Sequence, residues 1–255
     1  MRRVLAISDL HCGSKVGLTP PSQWCTRGTK LGKLQRKMWE GYEKVVAGDK
    51  IDVLLVMGDA IDGSADKSKG TEAITTDRME QADWATECIK YTKAKKVHMV
   101  AGTPYHVGQQ EDWERVIGDR LGAEFTGQDW LDIDGVVFNV RHKVGSSSIP
   151  HGRHTAISRQ KMWEVLWKDT AGYPESDILL RGHVHFFSYC GGCYSNNWLA
   201  MTLPALQGPG SRYGVRQCEG LVHFGGVDFW TEKGEYSWRA NIREVQVGSR
   251  KPKVL

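Results

Sequence analysis

Residues 178–187 read ILLRGHVHFF, Ile178 through Phe187. Three apolar residues lead to an Arg and a Gly, and then two histidines follow, His183 and His185. Successive side chains of an extended chain point to opposite sides, so positions two apart share a side. A histidine satisfied within a core accounts for one imidazole. Two on one side, straight after Gly182 lets the backbone turn, indicate a ligand held between them.

The same pattern of a short apolar run ending in polar residues recurs along the chain. Val4–Ile7, Ile51–Met57, Val97–Val100, Val136–Val140 and Ile178–Leu180 read as strands, the second as near-continuously apolar as a buried parallel strand. Leu31, Leu34, Met38, Tyr42 and Val45 recur at helical spacing, which predicts a helix over 31–47. Thr76–Tyr91, Trp113–Leu121 and Ile157–Trp167 read the same way. Strands alternating with helices predict an α/β fold. Beyond residue 186 the helical signal stops. Phe186–Tyr189, Trp198–Leu203, Leu221–Phe224 and Tyr236–Val247 read as strands of a second, mostly antiparallel sheet beside the first. No repeat or linker divides the chain, so 1–255 is expected to be one domain, with 186–255 completing the second sheet. Gly63–Gly70 and Gly145–Gly152 read as surface loops.

The chain has 255 residues, 40% apolar and 25% charged, an ordinary globular balance. No apolar run is long enough to span a bilayer, and Val4–Ile7 is too short for a signal-peptide core. Six cysteines are too few for a disulfide scaffold. These features predict a soluble, cytoplasmic chain with no membrane partner. The net charge of +4 is uneven, with ten Lys/Arg against four Asp/Glu in residues 1–50. A basic segment of that kind suits an anionic partner, although dispersed charges also simply solvate a surface. Ten tryptophans could stack on bases but read first as packing residues.

The polar residues just past each strand are more specific. Asp9 and His11 come after the first, and Gly58, Asp59 and Asp62 after the second. Gly102, Thr103 and His106 come after the third, His142 after the fourth, and Gly182, His183 and His185 after the fifth. Open α/β sheets bind ligands outside the carboxyl ends of their strands. Five strand ends thus deliver Asp and His to one rim. Mixed carboxylate and imidazole ligands suit Mn, Fe, Zn or Co. Two ions can be served if one carboxylate bridges them, the arrangement that clamps displacement at phosphorus.

Asp9-Leu-His11, Gly58-Asp-Ala-Ile-Asp62, Gly102-Thr-Pro-Tyr-His106, His142 and Gly182-His-Val-His185 resemble the calcineurin-like metallophosphoesterase superfamily. Its motifs run D-x-H, G-D-x-x-D, G-N-H-D/E, H and G-H-x-H in that order. The resemblance spans residues 9–185 and implies a two-sheet β-sandwich flanked by helices, in four layers α/β/β/α. It implies two divalent ions, Mn²⁺ first among Mn, Fe, Zn, Co and Ni. Asp9, His11 and His185 would hold the first, His142 and His183 the second, and Asp59 would bridge them. A hydroxide between the ions would attack phosphorus. Asp62 would orient the third-motif histidine, here His106, which would act as general acid. The third motif departs from the pattern: Thr103 stands where the family has an Asn ligand, and the His comes two residues late. Thr103 is carried over as a poorer ligand of the second ion. The compact chain also resembles small phage-encoded phosphoesterases.

The implied activity is metal-dependent hydrolysis of phosphate esters, read as a phosphodiesterase on nucleic acid or nucleotides. The basic N-terminal segment, the aromatics and the lack of a cap domain support that reading. A phosphomonoesterase is the alternative, with Arg141, Arg153 and Arg181 near the motifs. A third reading is a binding module that has lost its chemistry. His154 and Arg153 are candidate phosphate contacts at a helix start, whereas His98 and His223 read as structural. Cys190 and Cys193, with Cys218 and His223, have a spacing permissive for zinc but read first as a hairpin turn.

Overall fold

A computed structural model describes residues 1–108, 112–147, 149–191, 198–211, 214–215 and 221–245. The chain opens with β1 (Arg2–Ile7), α1 (Lys30–Val46), β2 (Val53–Val56), α2 (Arg78–Tyr91) and β3 (Lys96–Val100). It continues through α3 (Pro104–Val107), α4 (Trp113–Leu121), β4 (Glu124–Thr126), β5 (Gln128–Ile133), β6 (Val136–Arg141) and α5 (Thr155–Ala171). It closes with β7 (Ile178–Arg181), β8 (Ser188–Gly191), β9 (Leu199–Thr202), β10 (Phe224–Glu232) and β11 (Glu235–Arg243).

The strands form two sheets, one in the order β11-β10-β1-β2-β3-β4 and one in the order β5-β6-β7-β9-β8. Strict alternation along the strands makes the layers. Val4, Ala6, Val53, Leu55 and Met57 face Phe138, Val140, Ile178, Leu180 and Met201 between the sheets. Leu5, Ile7, Leu54 and Val56 point the other way, onto Met38, Tyr42, Ala85, Ile89 and Ile117 of α1, α2 and α4. Ala156 and Ile157 of α5 pack on Leu179 and Ala200 outside the second sheet. The expected α/β/β/α order is therefore present. Each fully buried large apolar side chain contributes roughly 1.5–3 kcal/mol to holding the layers together. The helices start where the chemistry directs: the Thr29 hydroxyl accepts from Gly32 N ahead of α1, and the Asp77 carboxylate from Met79 N and Glu80 N ahead of α2.

The C-terminal third departs from the expectation. Residues from 186 on do not all complete the second sheet. β8 and β9 do, but β10 pairs antiparallel with β1, and β11 with β10, extending the first. A buried ion pair accompanies that ladder. Asp228 in β10 is fully buried, and its Oδ1 accepts from Arg3 Nε of β1 at 2.8 Å. Arg3 also donates to the Val45, Val46 and Asp49 carbonyls, tying β10 to the end of α1. The second sheet is mixed, since β6, β7 and β9 run parallel. The strand expected at Leu221–Phe224 begins only at Phe224. β4 and β5 were not expected; β5 carries two aspartates and lies at an edge, where charges suit a strand.

Candidate metal centre

The ends of β1, β2, β3, β6 and β7 converge at one rim, and the loops leaving them are laced by main-chain bonds. Asp9 N donates to Gly58 O, His11 N to Asp59 O and Gly182 N to His142 O. Asp9, His11, Asp59, His183 and His185 all have positive φ, between 46° and 74°. That left-handed conformation is uncommon for residues other than glycine and carries a strain of order 1–3 kcal/mol each. Among the described residues, five of the ten such non-glycine residues stand at this rim, where the backbone bends to aim their side chains. Two glycines permit the close approach: a Cβ on Gly102 would lie 2.2 Å from Asp59 Oδ1, and one on Gly182 2.2 Å from Ser8 Oγ.

Asp9 is fully buried and its two oxygens have different surroundings. Oδ2 accepts from Ser8 Oγ at 2.5 Å and from His183 N at 3.1 Å. Oδ1 has no hydrogen bond, yet lies 3.2 Å from His185 Nε2, 3.8 Å from His11 Nε2 and 3.9 Å from His142 Nε2. Nε2 of His11 and of His185 are 3.2 Å apart. His142 donates from Nδ1 to the Met57 carbonyl at 2.6 Å, which leaves Nε2 as the nitrogen aimed inward, 3.0 Å from Asp59 Oδ2. Asp9, His11 and His185 form one group able to hold an ion; Asp59, His142 and His183 form another. His11, Asp62 and His106 make a third such group at the cavity side. A buried carboxylate oxygen without a hydrogen bond, facing imidazole nitrogens, is the donor set a divalent cation satisfies.

The electrostatics agree with that geometry. Burial alone would raise the Asp9 carboxyl, but the charges of His185 and His142 hold it below the usual range. Burial would likewise raise Asp59, and His142 and His106 outweigh it. Burial would lower His142, but the Asp59 charge and contact push it up to about 10. Burial and the neighbouring His142 charge push His183 down to about 4. The carboxylates thus stay ionised, and without a cation the cluster takes up protons in its place.

The third motif resolves its own irregularity. Pro104 starts the single-turn α3, and that turn carries His106 back over the rim. Its ring lies 4.5 Å from that of His11, and Nδ1 donates to the Asp62 carbonyl at 2.8 Å. Thr103 caps α3 without a side-chain cap bond because its hydroxyl is directed at Asp59, 3.1 Å from Oδ1 and 3.2 Å from Oδ2. Its main-chain N also donates to Asp59 Oδ1, at 2.6 Å. Thr103 therefore reaches the site as a donor to the carboxylate. Asp62 touches His106 mainly through its main chain; its carboxylate lies closer to His11 Nδ1, at 3.2 Å, than to His106 Nδ1, at 3.9 Å. A carboxylate behind a ligand imidazole fixes its tautomer and ring orientation.

Other expectations separate cleanly. His98 bonds to Thr126 Oγ1 and His223 Nδ1 accepts from Phe187 N, both framework contacts. Arg153 lies over the Phe186 ring, Arg141 donates to Gln160, and Arg181 is fully buried. None of these three, nor His154, lines the cavity above the rim. That cavity, of about 480 Å³, is walled by Ser14, Ser68, Glu72, Tyr105, Lys143, Gln207 and Ser211 above the Asp and His floor. The 63–70 loop, expected at the surface, contributes Ala65 and Ser68 to this wall. Cys12, Cys25, Cys88 and Cys190 are free thiols, while Cys193 and Cys218 lie outside the described residues. No described helix is long and apolar enough to cross a membrane.

Glu114 escaped the sequence reading. It is fully buried in the first turn of α4 and accepts from Ala60 N at 2.7 Å and Gly102 N at 2.6 Å. It thereby clips the second-motif loop to the third. Burial and the Asp59 charge push its carboxyl up to about 7. Nothing in the local sequence distinguishes it from an ordinary acidic first-turn residue.

No protein-family model and no curated protein sequence matches the chain. Solved structures with a related course of chain include zinc-complexed Vps29 from Entamoeba histolytica, 15% identical with a TM-score of 0.47, over 96% of this chain and 99% of that one. Vps29 from Cryptosporidium parvum is 14% identical with a TM-score of 0.45, over 95% and 97%. An archaeal phosphodiesterase is 13% identical with a TM-score of 0.42, over 93% and 99%.

Proposed function

We propose that this chain is a metal-dependent phosphoesterase that hydrolyses phosphodiesters, with nucleotides or nucleic acid as the substrate class. The observation that carries the reading is Asp9 Oδ1, buried without a hydrogen bond among three imidazole nitrogens and adjoining the Asp59–His142–His183 group. Asp9, His11 and His185 would hold one divalent ion, and Asp59, His142 and His183 a second. Bound ions of this kind polarise a phosphoryl oxygen and acidify water at neutral pH.

The chain's own residues supply the rest. Asp62 holds His11 by its carboxylate and His106 by its carbonyl. With Nδ1 of His106 donating to that carbonyl, Nε2 is left as the nitrogen that would take up a proton, as imidazolium, and pass it to a leaving oxygen. Thr103 fixes the Asp59 carboxylate through two donors, so that its rotamer is set before any ligand arrives. Lys143 is the one lysine or arginine among the described residues of the cavity wall. A diester carries a single negative charge at phosphorus, which one ammonium group suits; a terminal dianionic phosphate calls for more cationic contacts, and Arg141, Arg153 and Arg181 lie elsewhere. The basic N-terminal segment is in keeping with a polyanionic or nucleotide substrate.

Parallel assays with Mn²⁺ on bis-(p-nitrophenyl) phosphate and p-nitrophenyl phosphate test the choice. The expected result is a preference for the diester. A strong preference for the monoester would make the protein a phosphatase, and no turnover of either would return it to a binding role.

A further inference from the structure

The helix α5 carries its apolar side outward. Its buried residues are Ala156, Ile157, Lys161 and Glu164, two of them charged. Lys161 Nζ donates to Glu164 Oε2 and to the Ser176 carbonyl, while Glu164 Oε1 accepts from Asn139 Nδ2 and Ser176 Oγ. This satisfied polar network pins the helix on the sheet, so it cannot roll its other side inward. That other side exposes Met162 at 68% and Leu166 at 51%, flanked by Trp163 and Val165 at 46% and 42%. The first sheet has α1, α2 and α4 over its outer face; among the described residues, the second has α5 alone.

We propose that this face is the contact between two copies of the chain, with α5 packed antiparallel against the partner's α5 about a two-fold axis level with Glu164. The centre of the exposed face is the stripe Thr155, Arg159, Met162, Leu166 and Asp169. Its steps alternate four and three residues, the spacing of a helix-pairing seam. The stripe is also self-complementary when reversed. Antiparallel pairing places Met162 on the partner's Leu166, and Arg159 on the partner's Asp169. A two-fold interface requires this property, because each residue meets the mate of its own counterpart. A parallel pair would oppose Arg159 to its own copy and Asp169 to its own. Both side chains are exposed, and the charge of Asp169 is felt within its own chain by the adjacent Lys168. An apolar pair closed at both ends by opposite charges thus selects a second copy, and selects its direction.

Sedimentation velocity on the full chain, over a dilution series, tests the proposal. The wild type is expected to be a dimer that dissociates on dilution. Met162→Glu with Leu166→Glu should be monomeric, with an unchanged far-ultraviolet circular dichroism spectrum. Arg159→Asp alone converts both ion pairs into like-charge contacts and should weaken the dimer by about tenfold. Adding Asp169→Arg should restore it. Arg159 and Asp169 are exposed, so the charge exchange decides the matter even if the double Glu variant fails to fold. A wild type that stays monomeric at every concentration, a dimer indifferent to the Glu substitutions, or a double exchange no tighter than the single one would overturn the proposal. None of these readouts depends on catalysis.

Discussion

At the scale of single residues, the site is a set of negative oxygens and imidazole nitrogens held close by strained backbone. His142 shows what this costs in the absence of a cation: its imidazole, pushed up to about 10, keeps a proton at neutral pH. An ion entering beside Asp59 must displace that proton. Metal affinity should therefore rise with pH, by about tenfold per unit through the neutral range for each proton displaced. Calorimetric titration of Mn²⁺ into chelator-treated protein at several pH values, in buffers of different ionisation enthalpy, should show proton release. Affinity that does not change with pH would contradict the charge pattern assigned to His142.

Most of this site was legible from the chain, since Asp9, His11, Asp59, His142 and His183 each stand at a strand end. Thr103 and Asp62 were only partly legible. Motif position brings both to the site, whereas their contacts depend on which atom faces which neighbour, and the single turn of α3 decides that. Glu114 was not legible at all, because its partners are main-chain N–H groups that no side-chain pattern marks.

Elements are the scale at which Glu114 acts. By accepting from Ala60 N and Gly102 N, it makes the start of α4 a fixed point for two loops that carry Asp59, Asp62 and Thr103. Gln is isosteric but offers one acceptor oxygen, so Glu114→Gln sets an amide NH₂ against a main-chain donor. The expected cost is about 1.5–3 kcal/mol of stability. The pH dependence has a definite sign. The folded pKa of about 7 lies above the ordinary 4.5, so the fold holds this proton more tightly than the unfolded chain does. Its contribution is fully present below 4.5 and is lost as pH rises through about 7. The melting temperature of metal-free wild type minus that of Glu114→Gln should therefore shrink across that interval and level off above it. A difference that grows with pH would show that Glu114 is ionised throughout.

The long regular elements were legible because helical and alternating periodicities extend over many residues, as in α1 and β1. β10 was obscured by Gly225, Gly226 and Asp228, residue types that ordinarily mark turns. Its strand character comes from pairing on both sides and from Arg3, which is distant in sequence.

For the whole molecule, the Arg3–Asp228 pair joins the β1–β10 ladder in holding the last two strands on the first sheet. Removing the Arg alone leaves Oδ1 of the fully buried Asp228 without its partner, while Oδ2 keeps Asn241 and the more distant Arg239. Arg3→Ala should lower the unfolding free energy by about 3–5 kcal/mol, read from urea denaturation, while Arg3→Met with Asp228→Leu should recover much of it. An unaffected Arg3→Ala protein would mean that β10 is held by its ladder alone. The two sheets position the rim together: β1, β2 and β3 bring Asp9, His11, Asp59 and Thr103 from one, and β6 and β7 bring His142, His183 and His185 from the other. A centre assembled across the sandwich in this way ties ligand binding to the packing of both layers, and bound ions should raise the melting temperature of the whole domain.

The most direct measurement is the number of ions bound per chain, determined by calorimetry and elemental analysis on metal-stripped protein reloaded with Mn²⁺, for wild type and Asp59→Asn side by side. The account predicts two ions and diester hydrolysis for the wild type, with loss of at least one ion and of hydrolysis in Asp59→Asn. A wild type that binds none, or an Asp59→Asn protein with unaltered metal content and turnover, would contradict it.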